Sequence, residues 1–353
     1  MDKPLENGDV VIARKKPSYP VSKGLMGFLE QYNRVTRIQL LYEDLLRFSG
    51  GLSVLDDQGN DTLWLSVYYP EGEFAEIESN LTKIYTLLHS DGDVATLRHL
   101  KVESIHFCTF GNSQPFRVRI RNILNDNHTN FYIKKADASR IYGLELEHVL
   151  SPDRMNFLVY KDTLIEQHIM GIPGDQFVSH YLPSCSEQEK AQISKEFVKF
   201  NERCLIGLLG DMRSYNYVVI PIHDFDQVYY RIRPIDFDQE TYEGNLRVYL
   251  PQYFKENYKM VKMALDKLNA DSIEQYQKEM RSVVVKRVMT SRQRYNRLIQ
   301  VMRKEELAPP AHIQELKDSL LELTYDINFK HCRTMGDIVY TGINYVLKNY
   351  RQE

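Results

Sequence analysis

From Leu25 to Phe48, apolar residues recur at helical spacing (Phe28, Tyr32, Val35, Ile38, Leu41, Leu45), which predicts one amphipathic helix closed by Ser49-Gly50-Gly51. The next stretch, "SVLDDQGNDTLWLSVYY", reads as two short strands around a polar turn at Asp57-Gln58-Gly59-Asn60. A second helical stripe, Phe74, Ile77, Leu81, Ile84 and Leu88, runs to a stop near Ser90-Asp91-Gly92.

The pattern then turns to strands. "VESIHFCTF" and "FRVRIRN" flank a turn at Gly111-Asn112-Ser113-Gln114-Pro115, and "NFYIKK" forms a third strand after "NDNHT". In the middle strand Phe116, Val118 and Ile120 alternate with Arg117, Arg119 and Arg121, so one face is apolar and the other, a solvated face, carries three guanidiniums. "SRIYGLELEHVL" predicts a short helix. "NFLVYKD" and "TLIEQHIM" predict a hairpin leading to the breaker cluster Gly171-Ile172-Pro173-Gly174.

Beyond that cluster the chain is mainly helical. Ser186 with Glu189 makes a capping box for a helix through "CLIGLL", and "YNYVVIPI" with "QVYYRIRPID" makes a hairpin over His223-Asp224-Phe225-Asp226. Further helices are expected near 252–268, 271–305, 311–323 and 335–350. The fold class that follows is α+β and bilobal. A flexible tail (1–22) and an N-terminal α/β extension (23–95) precede a small antiparallel-sheet lobe (96–170), whose last residues the resemblance described below makes a hinge, and a helical lobe (171–353).

Composition narrows the function classes. The formal net charge of −3 argues against wholesale binding to nucleic acid or anionic membranes. The basic run from Lys286 to Lys304 reads as a packed helix, because Val288, Tyr295, Leu298 and Met302 form an apolar stripe within it. Four scattered cysteines without a C-x-x-C pair give no zinc site or disulfide framework. No apolar run has signal-peptide or membrane-span length, so a cytoplasmic setting is expected. Asp224 and Asp226 form an Asp-Phe-Asp that turn chemistry accounts for.

Candidate chemistry lies in "LLGDMRSYNYVV" (208–219) and "IRPIDFDQE" (232–240). An Asp, an Asn five positions later, and a second Asp at a strand end reached through a hairpin can converge on one point. Mg²⁺ prefers such hard oxygen donors, and transfer of a phosphoryl group needs a carboxylate near the acceptor hydroxyl. Asp211, Asn216 and Asp236 have this order and type.

In these motifs the chain resembles the protein-kinase-like fold, most closely its aminoglycoside phosphotransferase/choline kinase branch or the HipA-type kinases. That branch reads H-G-D-x-x-x-x-N followed by a strand and I-D-F-[GDE]; here "LGDMRSYN" and "IDFD" match except that Leu209 replaces the His. The resemblance spans roughly residues 100 to 260. It implies an ATP- and Mg²⁺-dependent phosphotransferase with Asp211 as catalytic base, Asn216 and Asp236 as metal ligands, and Asp238 as an acidic neighbour at the metal. It further implies that Lys134, or Lys135, touches the nucleotide phosphates and that Glu145 or Glu147 is the helix partner of that lysine. Tyr132 would stack on the adenine, and backbone groups of Gln167, His168 and Ile169 would bond its edge. The turn "FGNSQPF" takes the place of the phosphate-covering loop with one glycine instead of a glycine-rich run. That departure keeps open a nucleotide-binding regulatory module or pseudokinase, and AMP transfer on the same fold is a further alternative. The acceptor, a small molecule or a protein hydroxyl, is not readable. The N-terminal and C-terminal helices are candidate surfaces for a partner or a second copy.

Overall fold

The structure is a computed structural model that describes residues 16–89, 94–111, 113–225 and 228–350. Residues 1–15 of the expected tail, the terminator Ser90-Asp91-Gly92, Asn112 of the first turn and Asp226 of the Asp-Phe-Asp pair lie outside the described residues. The chain divides into two compact units. Among the described residues, one is a sheet unit (19–138 and 155–168) and the other a helical unit (16–18, 139–154 and 169–350).

The sheet unit contains α1 (Lys23–Gln31), α2 (Tyr42–Leu45), β1 (Gly50–Leu55), β2 (Asp61–Tyr68) and α3 (Glu71–His89). After these come β3 (Leu100–Cys108), β4 (Phe116–Asn122), β5 (Asn127–Lys135), β6 (Phe157–Tyr160) and β7 (Thr163–Gln167). The strands form one antiparallel sheet in the order β1-β2-β3-β4-β5-β7-β6. The apolar alternation of β4 sets its burial: Phe116, Val118 and Ile120 enter the core with Leu81 and Ile84 of α3 and Phe131 and Ile133 of β5. Because β1, β2 and α3 share this sheet and core, residues 23–95 are not a unit apart.

The expected single helix from Leu25 to Phe48 breaks. It ends at Gln31, Asn33 takes a left-handed φ of 56°, and Val35 pairs with Val159 of β6. Thr36 N–H donates to Val159 O at 3.0 Å, so backbone pairing with a strand outcompetes the helical stripe. The β-branched pair Val35-Thr36 favours that extended form. Gly50 and Gly51, expected as a helix stop, open β1.

The helical unit contains α4 (Ala138–Leu150), β8 (Ile172–Pro173), α5 (Gly174–Gln176), α6 (Glu187–Gly207), β9 (Tyr217–His223) and β10 (Val228–Pro234), then α7 (Tyr258–Lys267), α8 (Ala270–Thr290), α9 (Arg292–Met302), α10 (Pro310–Thr324) and α11 (Met335–Asn349). α6 starts with the expected capping box of Ser186 and Glu189. The helix expected over 271–305 is two helices, broken at Ser291, and its stripe of Val288, Tyr295, Leu298 and Met302 is buried. No helix among the described residues is long and apolar enough to cross a membrane.

Candidate active site

The chain leaves α6 at Leu208, which adopts a left-handed φ of 54° and turns the backbone sharply. The following loop is joined to the segment after β10 by backbone pairing. Leu209 bridges Glu240, Gly210 N–H donates to Gln239 O at 3.2 Å, and Thr241 N–H donates to Leu208 O at 3.0 Å. A Cβ at Gly210 would lie 2.6 Å from Gln239 O, so this approach requires glycine. At the other end of the loop Ile235 N–H donates to Asn216 O at 3.0 Å, and the hairpin closes with Tyr217 opposite Pro234. Two motifs about twenty residues apart in sequence therefore run side by side.

Asp211 sits in this loop with φ of 58°, a conformation that strains a residue with a side chain. Its N–H donates to Val248 O at 3.0 Å and its carbonyl accepts the N–H of Arg213 at 2.8 Å. Arg213 Nε also donates to Asp211 Oδ1 at 2.8 Å, while Arg213 NH1 reaches Glu256 Oε1 at 2.9 Å. Burial pushes the Asp211 carboxyl above its ordinary range; Arg213 opposes the push, and Glu256 and Asp238 add to it. Asn216 Nδ2 donates to Asp211 O at 2.7 Å. With the amide nitrogen committed, the carboxamide oxygen is the group available to a cation. Asp236 Oδ1 accepts the N–H of Asp238 at 3.0 Å, and Tyr215 feels the charges of both Asp211 and Asp236.

The remaining expected residues have more varied fates. Asp238 was expected at the metal, but its Oδ1 accepts two hydrogen bonds from Arg140 of α4, from Nε at 2.6 Å and from NH2. A fixed guanidinium thus takes up the charge that a metal would need. Between the two aspartates, Phe237 is buried against α4, where a Cβ added to Gly143 would stand 3.0 Å from its ring. Glu145 was one candidate partner for the phosphate lysine; both of its oxygens are instead taken by Arg294 of α9, at 2.8 and 2.6 Å. Glu147, the other candidate, pairs with Arg203 of α6 at 3.4 Å.

In the sheet unit Lys134 Nζ pairs with Glu166 Oε2 at 2.8 Å, and both side chains are under a tenth exposed. The pair is diagonal across β5 and β7, since Lys134 opposes Leu164 and Tyr132 opposes Glu166. Lys135 is exposed, with Glu43 3.9 Å away. Tyr132 Oη lies 3.2 Å from His168 Nδ1. Gln167 N–H donates to Asn156 O at 3.0 Å, so that donor is engaged within the sheet unit. Ile169 opens the helical unit.

Arg140 and Glu256, which hold Asp238 and Arg213, Arg294, which holds Glu145, and Glu166, which holds Lys134, had no signal in the linear sequence. Only the register of the β6–β7 hairpin against β5 could have brought Glu166 forward. Among the described residues, no group of three or more His, Cys, Asp or Glu side chains is arranged to hold a metal ion. Asp236 contributes a carboxylate and Asn216 a carboxamide oxygen, the hard donor types that a divalent cation takes. No family model matches the chain, and no curated protein sequence matches it.

Proposed function

We propose that the protein is an ATP- and Mg²⁺-dependent phosphotransferase of protein-kinase-like fold that acts on a hydroxyl acceptor. The observation that carries this reading is the backbone pairing of residues 208–216 with 235–241, which holds Asp211, Asn216 and Asp236 in one neighbourhood. The element order supports it. Three antiparallel strands end on the lysine-bearing β5, α4 follows, the β6–β7 hairpin leads toward residues 167–169, and the Asp211 loop, the β9–β10 hairpin and Asp236 come after.

Asp211 is the base that orients the acceptor hydroxyl and takes its proton at a carboxylate oxygen. A carboxyl raised by burial suits that task better than an ordinary aspartate. Asp236 and Asn216 would hold the metal, whose charge would offset the negative charge of the phosphates. Arg140 fixes Asp238 and so braces the turn that presents Asp236. Lys134 supplies a cation toward the phosphates, and Glu166 holds it in place. Tyr132 offers a ring to the base.

Replacement of Asp211 by Asn keeps the side-chain shape and removes the proton acceptor. Turnover is expected to fall about a hundredfold to ten-thousandfold with MgATP affinity little changed. ATP consumption by this variant equal to wild type would remove Asp211 from the mechanism. The mass gained by the acceptor, phosphate or adenylate, separates phosphoryl from AMP transfer. Binding without consumption against any acceptor would favour a pseudokinase.

A further inference from the structure

The face of the sheet opposite the apolar core carries three arginines on β4, and their surroundings differ. Arg119 is paired with Glu103 at 2.8 Å and Arg121 with Asp126 at 2.6 Å. Arg117 makes no ion pair with a carboxylate among the described residues. Its guanidinium lies 4.6 Å from the centre of the Trp64 ring, and its NH2 is 2.8 Å from His106 Nδ1. Burial first, then Arg117 and Arg119, holds His106 below its usual value, so Nδ1 is the acceptor of a neutral ring.

Strand register builds these residues into one patch. Arg117 opposes His106 on one side and Tyr132 on the other, and cross-strand partners share a face. Tyr132 is in turn joined to His168. Opposite Tyr132 stands Glu166, a carboxylate already engaged by Lys134. Arg117 is therefore a half-buried guanidinium fixed by an aromatic ring and a neutral imidazole, with no carboxylate paired to it among the described residues. Such an arrangement costs solvation that a cation–π contact offsets only in part, and an incoming anion would complete it.

Its place in the chain says which anion. Arg117 is the second residue of β4, directly after the turn that carries a single glycine, Gly111. That turn is also tied down: Gln114 O accepts from Tyr42 Oη at 2.8 Å, and Pro115 O accepts from Cys108 N–H at 3.0 Å. In protein kinases a glycine-rich loop covers the phosphates from this position. We infer that Arg117, seated on Trp64, takes over that work with its side chain and donates to the phosphates of the nucleotide. A planar guanidinium fork matches phosphate oxygens. The inference rests on the nucleotide reading of Tyr132 and Lys134 given above.

Calorimetric binding of MgATP and of adenosine to the full chain tests it, using wild type, Arg117→Gln and Arg117→Lys, each checked for a cooperative melt. The Gln variant is expected to lose about tenfold to a hundredfold in MgATP affinity with adenosine affinity unchanged, and the Lys variant to lose less. Equal MgATP affinity in wild type and the Gln variant would overturn this inference alone. An equal loss for adenosine and MgATP would overturn it too, because Arg117 would then be shaping the sheet. Should wild type bind no MgATP, this inference and the nucleotide reading fall together. Should the Gln variant not fold, the Lys variant decides, with undiminished MgATP affinity counting against the inference.

Discussion

Asp211 combines a left-handed backbone with a carboxyl raised by burial, and Arg213 restrains both. The guanidinium favours the charged form of Asp211 and simultaneously neutralises Glu256. Arg213→Gln removes the first effect and leaves Glu256 as an uncompensated negative neighbour. Both changes disfavour the carboxylate, so the Asp211 pKa rises further. A base works only when deprotonated, so the acidic limb of the kcat/KM profile is expected to move to higher pH in this variant. An unmoved limb with reduced rate would mean that Arg213 acts on substrate and not on Asp211. At this scale the sequence was informative where identity and order sufficed: the segments that carry Asp211, Asn216 and Asp236 were singled out together, and their backbones pair. It was silent where a partner comes from a distant element. Glu145 and Glu147 have the spacing of a lysine partner, yet Arg294 and Arg203 hold them, and neither arginine is near them in sequence.

Elements were legible where one periodicity had no competitor. α3, α6 and the β9–β10 hairpin lie where their patterns put them. The first stripe failed because its middle, Arg34 to Thr36, pairs with β6, a contact made across more than a hundred residues. Caps carry a similar local code, and α11 offers a test of it. Thr334 Oγ1 accepts Asp337 N–H at 3.1 Å, and Asp337 accepts from Arg333 N–H, Thr334 N–H and Arg303 Nε, the last at 2.7 Å. Burial raises the Asp337 carboxyl, but Arg303 and the backbone donors outweigh it and hold the group below its ordinary value. A depressed folded pKa means that its stabilisation is present above the unfolded pKa and is lost as pH falls through the folded one. Urea unfolding should therefore show Asp337→Asn less stable than wild type at neutral pH, with the gap closing in acid. Thr334→Ala should cost about 1 kcal/mol. A gap that persists unchanged below the carboxylate range would show that charge at Asp337 is not what stabilises the cap.

At the scale of the molecule, the chain passes repeatedly between its units, after Ser18, Ala138, Arg154 and His168, so neither unit is a continuous segment. Sequence patterning put boundaries after residues 22, 95 and 170, whereas the compact units change at 18/19, 138/139, 154/155 and 168/169. It did not show that the segment 139–154, which carries most of α4, belongs with the helical unit, because helical spacing shows which face is apolar and not which neighbour covers it. Each unit carries its own share of the candidate donors: Tyr132, Lys134 and Arg117 in the sheet unit, Asp211, Asn216 and Asp236 in the helical unit. Ligand linkage measures the metal-binding share directly. A ligand at a hundred times its Kd stabilises the folded chain by about 2.7 kcal/mol, which for a protein of this size is a shift in Tm of several degrees. Wild type is expected to show a larger shift with MgATP than with ATP and a chelator. Asp236→Asn keeps an oxygen able to accept the Asp238 N–H, so the turn should persist while the carboxylate is lost. In that variant the shift with ATP alone should remain and the extra increment from Mg²⁺ should vanish. An increment that survives would place the metal on other residues, because an uncharged carboxamide is a far weaker Mg²⁺ ligand than a carboxylate.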